Sequence, residues 1–168
     1  FDELDKQKFF YNGKLNFKPF HSFIEGDTEE INILYLFGSN ATTAELLRTG
    51  IFNSKNIDFK LNINANKIKN SRNFVNLLLR FKIQEGLIDI DDTQIEWKNN
   101  SVIKLSDTLI FTKEGKLFLD GKLRINIKNI RNIYKFLLTP KNFRKTIKTI
   151  DFRFSYSFDE NVIMINDI

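Results

Sequence analysis

Residues 57–65 read Ile-Asp-Phe-Lys-Leu-Asn-Ile-Asn-Ala, so apolar and polar side chains alternate through this stretch without a break. Alternation with a period of two residues indicates a β-strand that buries one face. Similar patterns recur later in the chain, at residues 75–83, 103–111, 117–127, 152–158 and 161–168. The predicted fold class is therefore mainly β, a β-rich α+β protein whose strands are about ten residues long.

Within each strand, the alternation assigns apolar side chains to a common face. Val75 is expected on the face of Leu77, and Leu109 and Phe111 are expected on the face of Leu105. Antiparallel pairing in register would align these faces into one continuous apolar surface.

Short turn sequences separate the strands and predict how they connect. Asn12-Gly13 is a strong signal for a two-residue hairpin turn, because both residue types tolerate positive φ. Further reversals are expected at Glu85-Gly86, Asn99-Asn100, Glu114-Gly115 and residues 159–161. The alternation continues through Gly121, which we interpret as a bulge or bend. The sequence thus predicts a long, twisted antiparallel β-meander.

Two short helical insertions interrupt the strands, near residues 30–49 and 129–145. The first is predicted in two pieces that split at Gly38-Ser39, with Asn40 or Thr42 as the N-cap and Gly50 as the stop. The second has Ile130, Ile133, Tyr134, Leu137 and Leu138 at helical spacing. Asn129 is its candidate cap, Pro140 is expected to end it, and a second turn is expected over residues 141–145.

The charge pattern indicates a solvated surface, and the composition shows no membrane-spanning segment. The chain has 26 Lys and Arg against 21 Asp and Glu, a formal net charge of +5. These basic residues extend from Lys6 to Arg153 and are interleaved with acids, which favours a mixed-charge solvated surface. No run approaches the ~20 apolar residues of a membrane-spanning helix, and no signal peptide is visible.

The residue types that usually carry chemistry are scarce. The chain has no Cys, which excludes disulfides, thiolate metal sites and a cysteine nucleophile. Its one histidine, His21, argues against a histidine-based triad or a His-rich zinc site and is interpreted as a surface or capping residue. The sequence predicts no enzymatic activity and no cofactor.

Three aspartates, Asp89, Asp91 and Asp92, are the one candidate for a metal site. A calcium loop starting at Asp89 would need Gly at its sixth position and Glu at its twelfth, but Gln94 and Asn100 stand there. We therefore interpret the three carboxylates as solvated acids on the wet face of a strand and predict no metal.

The apolar face itself is the strongest candidate site, because only two short helices are available to cover it. Its occupant is expected to be lipid acyl chains or another copy of the repeat. The alternative is an ordinary core beneath the helices and flanking segments. The candidate lipid-contacting residues are Phe59, Leu61, Ile63, Leu77, Leu79, Phe81, Leu105, Leu119, Leu123, Phe152 and Phe154.

A basic module that binds nucleic acid or another anionic surface is the alternative from a different class. Aromatic residues stack on bases beside Lys and Arg in single-strand binding proteins. Here, however, Phe152, Phe154, Tyr156 and Phe158 alternate with Arg153, so the aromatic and the cationic side chains fall on opposite faces.

Three runs follow one another in the later part of the chain. They are Leu-Phe-Leu-Asp-Gly-Lys-Leu-Arg-Ile-Asn-Ile at 117–127, Asn-Ile-Tyr-Lys-Phe-Leu-Leu-Thr-Pro-Lys-Asn-Phe-Arg at 132–144 and Ile-Asp-Phe-Arg-Phe-Ser-Tyr-Ser-Phe at 150–158. Upstream stand Gln-Glu-Gly-Leu-Ile-Asp-Ile-Asp-Asp-Thr at 84–93 and Ile-Glu-Trp at 95–97. This order resembles the C-terminal β-rich region of AsmA-like proteins, which are envelope proteins of Gram-negative bacteria, in their alphaproteobacterial versions. The likeness covers roughly residues 50 to 168.

The resemblance implies a non-enzymatic segment of a periplasmic protein, anchored in the inner membrane by an N-terminal helix outside these residues. The family looks like part of the bridge-like lipid carriers, whose β-sheets serve phospholipid transfer and outer-membrane assembly. The implied partners are phospholipid acyl chains, neighbouring β-repeats of the same chain and the membrane, with no nucleic acid. Residues 1–168 are interpreted as a single AsmA-like β-sheet domain, a fragment of a longer protein.

Overall fold

A computed structural model of the chain describes residues 10–18, 20–38 and 41–167. Its strands are β1 (Phe10–Phe17), β2 (Phe20–Ile31), β3 (Ile57–Ile68), β4 (Phe74–Gln84), β5 (Leu87–Asp89), β6 (Gln94–Trp97), β7 (Ser101–Lys113), β8 (Lys116–Ile127), β9 (Thr149–Ser157) and β10 (Val162–Asp167). Its helices are α1 (Ile33–Phe37), α2 (Thr42–Arg48) and α3 (Ile130–Phe136), with 3₁₀ turns at Ile51–Asn53 and Lys141–Phe143.

The ten strands form one sheet in the order β1-β2-β3-β4-β5-β7-β8-β9-β10. The short strands β5 and β6 both lie between β4 and β7, because each of them pairs with both of those long strands. Neighbouring strands are antiparallel apart from β2 and β3, which are parallel. The prediction of a mainly β protein with a largely antiparallel sheet and short helices is confirmed.

A helical crossover explains the parallel pair β2 and β3. Parallel neighbours need a connection that returns to the starting end of the sheet, and α1, α2 and the 3₁₀ turn supply it. The predicted split of this insertion at Gly38 is confirmed, because Gly38 is the C-cap of α1. The predicted stop is also correct, since Gly50 follows α2 with φ of 69°.

The predicted start of the first insertion is wrong, because residues 29–31 belong to β2. Pairing with Ile68 of β3 buries Ile31, and this burial in the sheet outweighs its helical spacing from Leu34. Helix α1 instead begins after Asn32, whose side chain accepts a hydrogen bond from the N–H of Leu34. Thr42 is the first residue of α2 rather than its cap, and Asn40 lies outside the described residues.

The predicted hairpin turn at Asn12-Gly13 is also wrong. Strand β1 passes through both residues, which pair with Glu25 and Ile24 of β2, and the chain reverses between Phe17 and Phe20. A Cβ atom added to Gly13 would lie 2.9 Å from the carbonyl oxygen of Phe23. The glycine is needed for close approach to β2, so its turn signal is misleading.

A β-bulge lies opposite Gly121 and changes which side chains face the core. Ser106 pairs with Lys122 and Leu109 pairs with Asp120, so Asp107 and Thr108 of β7 oppose the single residue Gly121 of β8. Asp107 has φ of 50°. The predicted position of the bulge is correct, but the extra residue is in the partner strand.

The bulge overturns the expectation that Leu109 and Phe111 share the face of Leu105. The extra residue shifts the alternation by one, so that Ile110 is buried and Leu109 is exposed. Phe111 pairs with Phe118 on the opposite side of the sheet, and their rings stack with centroids 5.7 Å apart.

A similar irregularity overturns the expectation that Val75 lies on the face of Leu77. Asn76 has φ of 50°, and the register between β4 and β6 shifts between Val75 and Leu78. Phe74 therefore packs against the core cluster that contains Leu77, whereas Val75 pairs with Glu96.

The second helical insertion begins as predicted, but it ends early. The side chain of Asn129 accepts a hydrogen bond from the N–H of Asn132, which confirms it as the cap of α3. The helix ends at Phe136, before Pro140, because Leu138 adopts φ of 52°. The expected second turn is present as the 3₁₀ turn Lys141–Phe143. The four other predicted reversals also occur at their expected positions.

Gly121→Ala is predicted to destabilise the fold by about 1–3 kcal/mol through overpacking. The added methyl group would lie 2.8 Å from Cγ2 of Thr108 and 3.3 Å from the ring of Phe154. Thr108→Ser removes Cγ2 but keeps the hydroxyl that bonds Asp91, so the double variant should recover much of the loss. Urea unfolding of the three variants measures this, and a double variant no more stable than Gly121→Ala would contradict the proposed contact.

Candidate functional site

All eleven candidate residues lie in the two hydrophobic clusters that the sheet supports. Strand register aligns them on one face, for example Leu61 beside Phe81 and Leu105 beside Leu123. We call this face of the sheet, which carries Phe59, Leu61, Ile63, Leu77, Leu79, Phe81, Leu105, Leu119, Leu123, Phe152 and Phe154, the apolar face. The structure therefore brings the candidate residues together as the alternation predicted.

The protein's own helices cover the apolar face only in part. Ala44 and Leu47 of α2 pack into the cluster that contains Ile83, Ile110 and Phe154. Five of the candidate residues are buried, namely Ile63, Leu77, Leu79, Leu119 and Phe154. The other six are partly buried, namely Phe59, Leu61, Phe81, Leu105, Leu123 and Phe152. The face is thus neither an entirely closed core nor an open surface.

Two cavities lie on the apolar face. The larger, of about 570 Å³, lies between the helical crossover and strands β2 to β4, and Leu46, Ile51 and Phe81 are among the side chains that line it. The smaller, of about 380 Å³, extends over β4, β7, β8 and β9. Leu36 of α1 and Leu79 of β4 line both cavities, so the two are neighbours.

The chemistry of the larger cavity is almost wholly apolar. Of its 14 lining residues, only Thr43 and Asn56 have polar side chains, and none is charged. The lining therefore offers no charged group to a ligand. It can bury hydrocarbon, and its volume is within the range of ligand-binding pockets.

The apolar face continues to both edges of the sheet. On β1, Tyr11, Leu15 and Phe17 pair with the residues of β2 that share the face, and all three are exposed. On β10, Ile163 and Ile165 pair with Tyr156 and Phe154 and are exposed as well. Within the described part of the chain, no strand pairs with the outer edge of β1 or β10.

Sequence reasoning missed the contribution of β2 and of the crossover to this site. Phe20, Leu36 and Leu46 line the larger cavity but were not among the candidates. In β2 the positions that share the apolar face include Gly26 and Thr28, which hide the alternation. The spacing of Leu46 and Leu47 indicated a helix but not what the helix packs against.

The opposite face of the sheet carries paired charges. Lys104 lies 2.7 Å from Asp92, Lys122 lies 2.6 Å from Asp107, and Arg124 lies 2.6 Å from Asp151. Each of these cations is matched by a carboxylate, which lowers the potential available to attract a polyanion. This arrangement supports the mixed-charge interpretation for β7 to β9.

Of the three aspartates, Asp89 ends β5, whereas Asp91 and Asp92 lie in the turn that follows it. Asp91 Oδ1 accepts hydrogen bonds from the N–H and the hydroxyl of Thr108, both at 2.7 Å. Asp91 and Asp92 lie in a turn, so their placement on a strand was wrong.

His21 is a half-exposed partner of Asp58, with Nδ1 and Oδ2 2.9 Å apart.

The described residues contain neither a metal-binding cluster nor a membrane-spanning helix. Within residues 10–18, 20–38 and 41–167, no three His, Cys, Asp or Glu side chains form a group that could hold a metal ion. No helix in this described part is long and apolar enough to cross a membrane.

Asp89→Asn is predicted to stabilise the fold at neutral pH. Burial raises the pKa of the Asp89 carboxyl, and the charges of Asp91 and Asp92 add to this, although Lys82 and the N–H of Asp91 oppose it. A raised pKa means that the folded state disfavours the ionised form. The advantage of the variant should therefore shrink as the pH falls through the pKa of Asp89.

Urea unfolding at neutral pH and in mild acid measures this effect. Glu25→Gln, at an exposed position of β2, is the matched control and should change little at either pH. An Asp89→Asn variant that is less stable than the wild type at neutral pH would contradict the raised pKa of Asp89.

Comparison with known proteins does not identify the family. No protein-family model, curated protein or solved structure matches the chain. The AsmA-like resemblance therefore stays a prediction from strand order and turn placement.

Proposed function

We propose that the apolar face binds phospholipid acyl chains and that the chain is a non-enzymatic segment of an AsmA-like envelope protein. In this proposal the segment serves phospholipid transfer or outer-membrane assembly. It lies in the periplasm and belongs to a longer protein anchored in the inner membrane. The observation that carries the proposal is the pair of neighbouring apolar cavities on one sheet face.

The energetics of burial support a hydrocarbon ligand. Each methylene of an acyl chain gains ~0.8 kcal/mol when it leaves water for an apolar environment. The cavities offer that environment without charged groups in the lining of the larger one. Strand β3, with 12 residues, extends about 40 Å at ~3.3 Å per residue, which gives the face room for extended chains.

The open edges support the proposed partnership with neighbouring β-repeats. Strands β1 and β10 leave backbone groups available for pairing, and such edges readily add a further strand. The exposed apolar residues Leu15 and Ile165 lie on the same face as the cavities. A repeat added at either edge would therefore extend the apolar face.

Nucleic-acid binding is the alternative that a salt titration separates from lipid binding. Affinity for an oligonucleotide falls steeply with salt because bound phosphates release counterions. Capture of an acyl chain on the apolar face should be almost indifferent to salt. Tight, salt-sensitive binding of a fluorescent oligonucleotide would favour the alternative.

Phe81→Asp is predicted to abolish co-purifying phospholipid, because it places a carboxylate in the lining of the larger cavity. Leu46→Glu should weaken lipid binding with less risk to folding, since Leu46 is 41% exposed on α2 and lines the same cavity. Leu87→Glu is the matched control, because Leu87 is 60% exposed and lies outside both cavities.

Lipid extraction and native mass spectrometry of the purified proteins measure the bound lipid, and circular dichroism verifies the fold. The proposal predicts lipid in the wild type and in Leu87→Glu, less in Leu46→Glu and none in Phe81→Asp. A folded wild type that carries no lipid, and takes up none from vesicles, would contradict it. The apolar face would then be a structural core.

A further inference from the structure

The positive charge of the chain is concentrated in one segment. Residues 128–148, which we call the basic segment, contain seven Lys and Arg and no Asp or Glu. The remaining residues have 19 Lys and Arg against 21 Asp and Glu, so their net charge is −2. The expectation that basic residues are interleaved with acids throughout the chain is therefore wrong here. This concentration of Lys and Arg is readable from the sequence, but the total net charge of the chain does not reveal it.

Most cations of the basic segment have no carboxylate partner. Lys128 forms an ion pair with Glu96. In the described part of the chain, no Asp or Glu lies within ion-pair distance of the other six. All six are exposed, namely Arg131, Lys135, Lys141, Arg144, Lys145 and Lys148. They contrast with the paired cations of β7 and β8.

The same segment exposes large apolar side chains. Phe136 is 63% exposed, Leu137 61%, Leu138 86% and Phe143 67%. These side chains are close in sequence to the cations at 135, 141 and 144. Apolar side chains flanked by unpaired Lys and Arg are typical of segments that lie in the interface of an anionic membrane.

Leu138 provides a second, independent observation. Its φ of 52° is in the left-handed region, which is an unfavourable conformation for a bulky residue. Its side chain is almost fully exposed, so packing within the fold does not explain why leucine stands there. Asn would adopt this backbone conformation more readily. The position thus presents an apolar group to the outside at a conformational cost.

Internal hydrogen bonds fix the shape of the basic segment. The hydroxyl of Tyr134 donates to the carbonyl of Lys145 at 2.5 Å and accepts from the N–H of Lys145 at 2.9 Å. Arg144 Nε donates to the carbonyl of Thr139 at 2.9 Å. The Tyr134 bonds join α3 to the residues just after the 3₁₀ turn, and the Arg144 bond closes the chain across that turn. The exposed residues of both elements are therefore presented together.

We propose that the basic segment docks the protein on the surface of an anionic phospholipid bilayer. Phe136, Leu137, Leu138 and Phe143 enter the boundary between headgroups and acyl chains, and the six unpaired cations contact lipid phosphates. Lipid fits better than nucleic acid, because leucine side chains gain from hydrocarbon but offer no ring to stack on bases. The inference stands independently of lipid binding on the apolar face.

Aromatic contacts connect the basic segment to the apolar face. The ring of Phe136 packs edge-on against Trp97 with centroids 5.0 Å apart, and Trp97 contacts Phe74 at 6.3 Å. Phe74 packs against the cluster that contains Leu77 and Leu79. Docking would therefore bring that end of the apolar face close to the bilayer. Trp97, the chain's one tryptophan, lies where its fluorescence can report docking.

Vesicle binding by the full chain tests the proposal. The probes are vesicles of phosphatidylcholine alone and vesicles that also contain phosphatidylglycerol, compared by sedimentation and by Trp97 emission at low and high salt. We expect binding to the anionic vesicles only, with an affinity that falls as the salt rises.

Two variants separate the apolar and the ionic contributions. Leu138→Asn should keep or improve the stability of the fold. It should weaken vesicle binding by about 10-fold, because one leucine side chain no longer enters the bilayer. The triple variant Arg131→Gln, Lys135→Gln and Lys141→Gln should weaken it by about 100-fold. The matched controls are Leu87→Asn and a triple Gln variant at the exposed residues Lys14, Lys55 and Lys113, and both should bind nearly as well as the wild type.

Three results would overturn the proposal. The first is equal binding to vesicles with and without phosphatidylglycerol. The second is an equal loss of binding in the two triple variants, which would reflect net charge alone. The third is tighter binding of a single-stranded oligonucleotide than of vesicles, if that binding is lost in the triple variant at Arg131, Lys135 and Lys141 but retained in Leu138→Asn. This result would identify a nucleic-acid surface.

Discussion

The whole arrangement depends on how a wide sheet with one apolar face is kept from water. Side chains alternate between faces along the strands except at the irregularities near Asn76 and Asp107, so the paired strands place most of their apolar residues on the same side. Little helix is available to cover that side. The crossover packs Leu47 against the middle of the face, and Phe136 of α3 packs against Trp97 at one end. The two cavities and the exposed apolar residues of β1 and β10 are what this covering leaves.

Alternation predicted β3, β4, β8 and β9 well, because each has a buried face whose register is strongly constrained. The errors have local physical causes that the pattern does not encode. Positive φ at Asn76 and Asp107 shifts the alternation by one residue and moves Val75, Leu109 and Phe111 to other environments. The parallel pairing of β2 with β3 depends on contacts between residues distant in sequence, which a local sequence pattern does not predict.

The candidate site was predictable in its composition but not in its extent. All eleven candidates share the apolar face, whereas the residues that close the larger cavity come from β2 and the crossover. For the basic segment, the concentration of charge in residues 128–148 is visible in the sequence. The exposure of Leu138 within that segment is not, because it depends on the fold. The two proposals, an apolar face for hydrocarbon and a basic segment for lipid phosphates, are consistent with each other, because both surfaces would recognise parts of the same molecule.

Photo-crosslinking with a diazirine-labelled fatty acid or phospholipid tests the central claim most directly, because it reports which side chains the hydrocarbon touches. Peptide mapping by mass spectrometry should place the adducts at residues that line the cavities, such as Leu46, Phe59 and Phe81. Excess unlabelled phospholipid should suppress these adducts. Adducts that instead fall on the charged face, around Lys104 and Lys122, or that do not respond to competitor, would contradict the account.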